Sequence, residues 1–179
     1  GDLTVSGTTT LSGGTMTGPA DTITLGALTI SGRISIDAGG LLDVRGGATW
    51  SAGQINLNPA VNGSAGQITN RAGSVFDDTF NGSMIAPNLS SADNGADALF
   101  TNEGTFRKSG GVAPGVTTIS SAFDNSGALE VQSGILSLTG GGTHTGSFAT
   151  AAGTTLQFGS GTHNLNNASA ITSLGRLLV

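Results

Sequence analysis

The chain has 179 residues, 36% hydrophobic and only 9% charged, with a formal net charge of −5 and no cysteine. That balance excludes a disordered chain, which needs high charge and few aliphatic residues, and it excludes disulfides and thiolate metal sites. Six scattered basic residues, with Arg107-Lys108 the one adjacent pair, make no face for phosphate contacts, so no nucleic-acid partner is expected.

No apolar run approaches the roughly 20 residues of a membrane helix, so no membrane insertion is expected. The 31 glycines follow no Gly-X-Y period and prolines number four, which removes collagen. Ser, Thr, Gly and Asn mixed with Leu and β-branched residues fit short strands separated by frequent turns.

In chain order, residues 1–57 alternate without a break. Leu3-Thr-Val5-Ser-Gly7 is echoed 25 residues later by Leu28-Thr-Ile30-Ser-Gly32, and further apolar pairs follow at Ile34/Ile36, Leu42/Val44 and Ile55/Leu57. Spacing by two puts the apolar residues on one face and Thr or Ser on the other. Gly13-Gly14, Gly39-Gly40 and Gly46-Gly47 supply unusual backbone angles at corners. Glycine recurs too often for helix, so helix content is expected to be near nil. Trp50 alternates with Ala48 and Ala52, which makes it core filling.

Residues 58–99 break the rhythm. Asn58 to Ser64 is rich in turn formers, and Gly66 to Asn70 then resembles a strand entering an Asn corner. The stretch from Asp77 to Ala98 holds four of the eleven acidic residues and is expected to be an irregular excursion from one corner.

From Leu99 regularity returns, now with long-range echoes. Phe100-Thr-Asn102-Glu-Gly104 recurs 23 residues on as Phe123-Asp-Asn125-Ser-Gly127, and Gly142-Thr-His144 recurs 19 residues on as Gly161-Thr-His163. Between them run Leu129/Val131 and Leu136/Leu138, and after them Leu156/Phe158. Units of about 19–25 residues built from strands and turns are the mark of a solenoid.

The fold expected is therefore all-β: a single-stranded parallel β-helix forming one domain over residues 1–179, of about eight coils at roughly 22 residues each. The hexapeptide rhythm of left-handed acyltransferase solenoids is missing, which points to a right-handed helix. A β-sandwich would also explain short strands and Gly-rich turns, but not recurrences at one-coil spacing. Asn70, Asn102 and Asn125 are expected at equivalent corners, in left-handed conformation or as a side-chain ladder. If the Phe two residues earlier is inside, a bend must separate the two. His144 and His163 are expected at matching positions on adjacent coils.

The phrases FTNEGTFRKSGG (100–111), FDNSGALEVQSGILSLTGGGTHTGSF (123–148) and GTTLQFGSGTHNL (153–165) resemble repeat units of very large bacterial surface proteins. These are the filamentous-haemagglutinin-like adhesins and autotransporter passengers. The resemblance covers about residues 99–175 and, in style only, residues 1–57. It implies export to the cell surface or the extracellular space, an elongated shape, and a role in adhesion, surface layers, biofilm matrix or fibres.

Candidate chemistry is sparse, and no enzyme activity or cofactor is expected. The two histidines, with no Cys or carboxylate motif beside them, make a poor metal site. Asp77, Asp78, Asp93 and Asp97 are candidates for calcium or for acid-base cleavage of polysaccharide on a β-helical scaffold. The Ca²⁺ loop motifs are absent, however. Asn62-Gly-Ser, Asn81-Gly-Ser, Asn88-Leu-Ser and Asn167-Ala-Ser match the glycosylation pattern as a consequence of composition. Because the chain opens and stops inside patterned segments, it is expected to be a slice of a longer array. Its expected partners are further repeats or a second copy stacked end to end, with surface glycans as a further candidate. Two functions follow: a structural segment of an adhesin or extracellular filament, or a polysaccharide-binding or polysaccharide-cleaving domain.

Overall fold

Each repeat contributes three short strands, and the chain winds through eight such coils. The computed structural model describes residues 1–61 and 63–179; Asn62, on which one glycosylation triplet begins, lies outside the described residues. The fifth coil is representative: Leu99–Asn102, Thr105–Lys108 and Val116–Ile119 form its three strands. First strands pair with first strands of the neighbouring coils, second with second and third with third, giving three eight-stranded sheets. Every pairing between named strands is parallel. No helix occurs among the described residues. The all-β parallel solenoid of eight coils expected from the sequence is the fold observed.

Pairing in register stacks like positions into columns that run the length of the molecule. Two inward columns carry the aromatic core. In the first sheet Leu42, Ile68, Phe100 and Phe123 follow one another, and in the second Ala48, Phe76, Phe106, Leu129 and Phe148 do so. Phe100 stacks on Phe123 at 5.2 Å, and the Phe106 ring meets both edge-on. All these side chains are buried, and each fully buried Phe or Leu contributes about 1.5–3 kcal/mol. Trp50 is fully buried, as expected, against the edge of Phe80.

Coil length is not constant. Successive inward residues of the first sheet, from Leu42 to Ile68 to Phe100 to Phe123, are 26, 32 and 23 positions apart. The excess lies at one corner, between the third strand and the next first strand, in residues 57–66 and 86–98. The excursion expected over 77–98 is therefore shorter than the sequence implied. Val75–Asp78 and Ser83–Ile85 are strands of the fourth coil, because Phe76 and Met84 keep the inward apolar columns intact. The two loops brace one another across coils: Asn58 Nδ2 donates to the Pro87 carbonyl (2.8 Å), the Gly63 amide to Asp93 Oδ2 (2.9 Å) and the Ala65 amide to Asp97 Oδ2 (3.0 Å).

Three further expectations need correction. The Leu3/Leu28 echo does not mark one coil, because Leu3 pairs with Thr22 in the first sheet while Leu28 pairs with Thr9 in the second. The echo reflects a shared demand for alternation. His144 pairs with Leu165, and His163 pairs with Gly142, so the two Gly-Thr-His triplets are out of step by two residues. No bend separates Phe100 from Asn102: both are fully buried, both point inward, and no Asn among the described residues has positive φ.

Candidate functional site

Four features of this wall could carry function: the carboxylates, the corner column of Asn and His, a charged cluster inside the coil, and the two end faces. Alternation decides where each side chain points.

The carboxylates separate. Asp77 faces outward on the second sheet, where Arg107 of the next coil donates to its Oδ2 at 2.6 Å. Asp78, one residue on, points inward and is fully buried. Asp93 and Asp97 lie in the 86–98 loop and accept from backbone amides of the loop before it. The four do not converge on one surface. Among the described residues no three His, Cys, Asp or Glu side chains come together to hold a metal ion.

The Asn column is a side-chain ladder. Asn70 Nδ2 donates to Asn102 Oδ1 and Asn102 Nδ2 to Asn125 Oδ1, each at 2.8 Å. Each amide also donates to a backbone carbonyl of the coil above, at Thr105, Ala128 and Ser147. After Asn102 and Asn125 the glycine two residues on is required by space: a Cβ on Gly104 would run into the Ser74 carbonyl oxygen and one on Gly127 into the Gly104 carbonyl oxygen, whereas Ala72 stands in that place after Asn70. His144 takes the next place in the column. Its ring stacks 5.4 Å from that of His163, with His144 Nε2 3.1 Å from His163 Nδ1. His163 Nε2 lies 3.1 Å from the Ser160 carbonyl. A carbonyl can only accept, so His163 Nε2–H is the donor to Ser160. Burial, followed by the neighbouring His163, lowers the His144 pKa to about 4, so His144 is neutral at pH 7.

The charged cluster was not anticipated. Phe106 and Lys108 are two apart, so the lysine points inward with the phenylalanine, and its side chain is fully buried. Its Nζ donates to the carbonyls of Phe80 (2.6 Å) and Gly110 (3.0 Å) and to Asn81 Oδ1 (3.3 Å), with Asp78 Oδ2 at 3.5 Å. Thr117 donates its hydroxyl to Asp78. Burial raises the Asp78 pKa despite the hydrogen bond from Thr117 and the charge of Lys108, and burial lowers that of Lys108 despite Asp78. The outward Asp43 differs. Burial raises its pKa, but the hydrogen bonds from Arg71 and Arg45 (2.8 and 2.7 Å) prevail and hold it below the usual carboxylate range.

At the ends, the first and last coils each have one side with no paired strand. In the last coil Leu165, Ile171 and Leu177 occupy inward positions, each stacked on the core column of the coil before, yet they are 45%, 39% and 37% exposed. Leu3, in the first coil, is 58% exposed.

Comparison with protein-family profiles, with curated proteins and with solved structures gives no match.

Proposed function

We propose that this chain is a structural segment of an exported bacterial surface protein or extracellular filament, and that its end faces take up further coils. The observation that carries this is the pair of end faces. Each offers three unpaired parallel strand edges, which template further pairing unless they are blocked. Leu165, Ile171 and Leu177 on one face and Leu3 on the other leave core columns in water. A head-to-tail contact between copies continues all three sheets and is a heterologous, non-closing assembly.

The test is sedimentation velocity on the purified chain and on the double variant Ile171→Asp/Leu177→Asp, with far-UV circular dichroism to confirm that both keep their strands. The wild type is expected to sediment faster as concentration rises and the variant to stay monomeric. A wild type that remains monomeric throughout removes end-to-end stacking. Surface placement is checked separately, by loss of the segment on protease treatment of intact cells carrying the full-length protein.

A further inference from the structure

The buried Lys108 cluster holds the parts of a self-forming covalent cross-link. We propose that Lys108 Nζ condenses with the side-chain amide of Asn81, with Asp78 as the proton carrier, to give an isopeptide bond between the fourth and fifth coils.

The argument starts with placement. The Lys108 amine is wholly inside the wall and 3.3 Å from Asn81 Oδ1. Asp78 Oδ2 is 3.5 Å from the same amine, oriented by the Thr117 hydroxyl and by the Phe80 amide at 3.2 Å to its Oδ1. Asn81 itself is held at the wall: its carboxamide fills the space over Gly111 and Gly115, where any Cβ would collide with it, and its Nδ2 donates to the Val112 carbonyl at 3.4 Å. Its outer edge faces solvent, so a small leaving group has an exit. Reactants held at this range react as though at very high concentration.

The chemistry closes on these groups alone. Buried together, the two charges favour the neutral pair, in line with the directions in which burial moves both groups. One proton passes from the ammonium to the Asp78 carboxylate, leaving an amine. The amine lone pair forms the Nζ–Cγ bond at Asn81. Asp78 delivers its proton to Nδ2, the Cγ–Nδ2 bond breaks and ammonia departs, while Nζ gives up a second proton to the carboxylate. The product is a secondary amide, one ammonia and a protonated Asp78; no oxidant or cofactor enters.

The experiment is intact-mass and peptide mass spectrometry of the purified chain, fresh and after prolonged incubation. The expected result is a loss of about 17 Da, one ammonia, together with a branched tryptic peptide joining residues 72–107 to 108–176. Both should vanish in Asn81→Ala and in Asp78→Asn. An unchanged mass with two separate peptides overturns the proposal. So does a loss of ammonia that persists in Lys108→Met, because it would come from cyclisation of Asn81 onto Gly82. A loss of about 18 Da, one water, with the branch at Asp78 overturns the assignment to Asn81.

Discussion

Asn102 accepts from Asn70 and donates to Asn125 and to the Ala128 carbonyl, so it is the middle rung of a buried amide ladder. Replacing it by alanine leaves the Asn70 donor and the Asn125 acceptor each short of a partner where water does not reach. Stranded buried polar groups cost about 1–3 kcal/mol each. Asn102→Ala is accordingly expected to lower unfolding free energy by about 2–4 kcal/mol, seen as a fall in the urea midpoint at unchanged slope. His144, one place further along, gives the ladder a pH dependence. Its folded pKa of about 4 lies below the ordinary 6.5, so the unfolded chain binds this proton more tightly. The stabilisation is complete above pH 6.5 and is lost progressively as pH falls to about 4, by about 3 kcal/mol in all. His144→Asn, which continues the column with its own residue type, should flatten the stability profile across that window. An equal slope in the variant would assign the acid sensitivity elsewhere.

At the scale of the element, the strand–corner unit works because the residue two after an inward Phe is inward too, and the glycine two further on admits the backbone of the adjacent coil. Gly127→Ala drives a methyl into the Gly104 carbonyl, whereas the equivalent change at Gly7 meets open space. Denaturation of the two variants should therefore diverge: a loss of about 3 kcal/mol or more at Gly127, and a change within about 0.5 kcal/mol at Gly7. This unit was the most legible part of the sequence, since Phe-x-Asn-x-Gly recurs at one-coil spacing and alternation needs no long-range information. The same alternation, followed one step further, places Lys108 inside with Phe106 and Asp78 inside with Phe76. A lysine in an otherwise polar stretch gives no sign by itself that it is buried, so the cluster stayed hidden. The offset of the His triplets was illegible for another reason. Register in this part of the wall is set by the length of the intervening turns, and Gly142 and His163 become partners only once the turns are counted in three dimensions.

For the whole molecule, three parallel sheets closed around one buried interior make a rod. Eight coils at about 4.8 Å per strand spacing give a length of about 38 Å. Its insertions gather on one edge, where residues 57–66 and 86–98 clasp each other through Asp93 and Asp97, so those carboxylates serve the loop pair and the remaining walls stay regular. Sequence composition made the class of fold plain, but a run of carboxylates looked like a site until the strand at Asp77–Asp78 divided it between outside and inside. The proposed stacking belongs to this scale. The most direct measurement is electron microscopy with fibre diffraction on concentrated, purified chain. Head-to-tail stacking predicts filaments one solenoid wide with a meridional spacing of about 4.8 Å along the axis. Separate particles about 38 Å long at every concentration, or copies joined side by side, would contradict it.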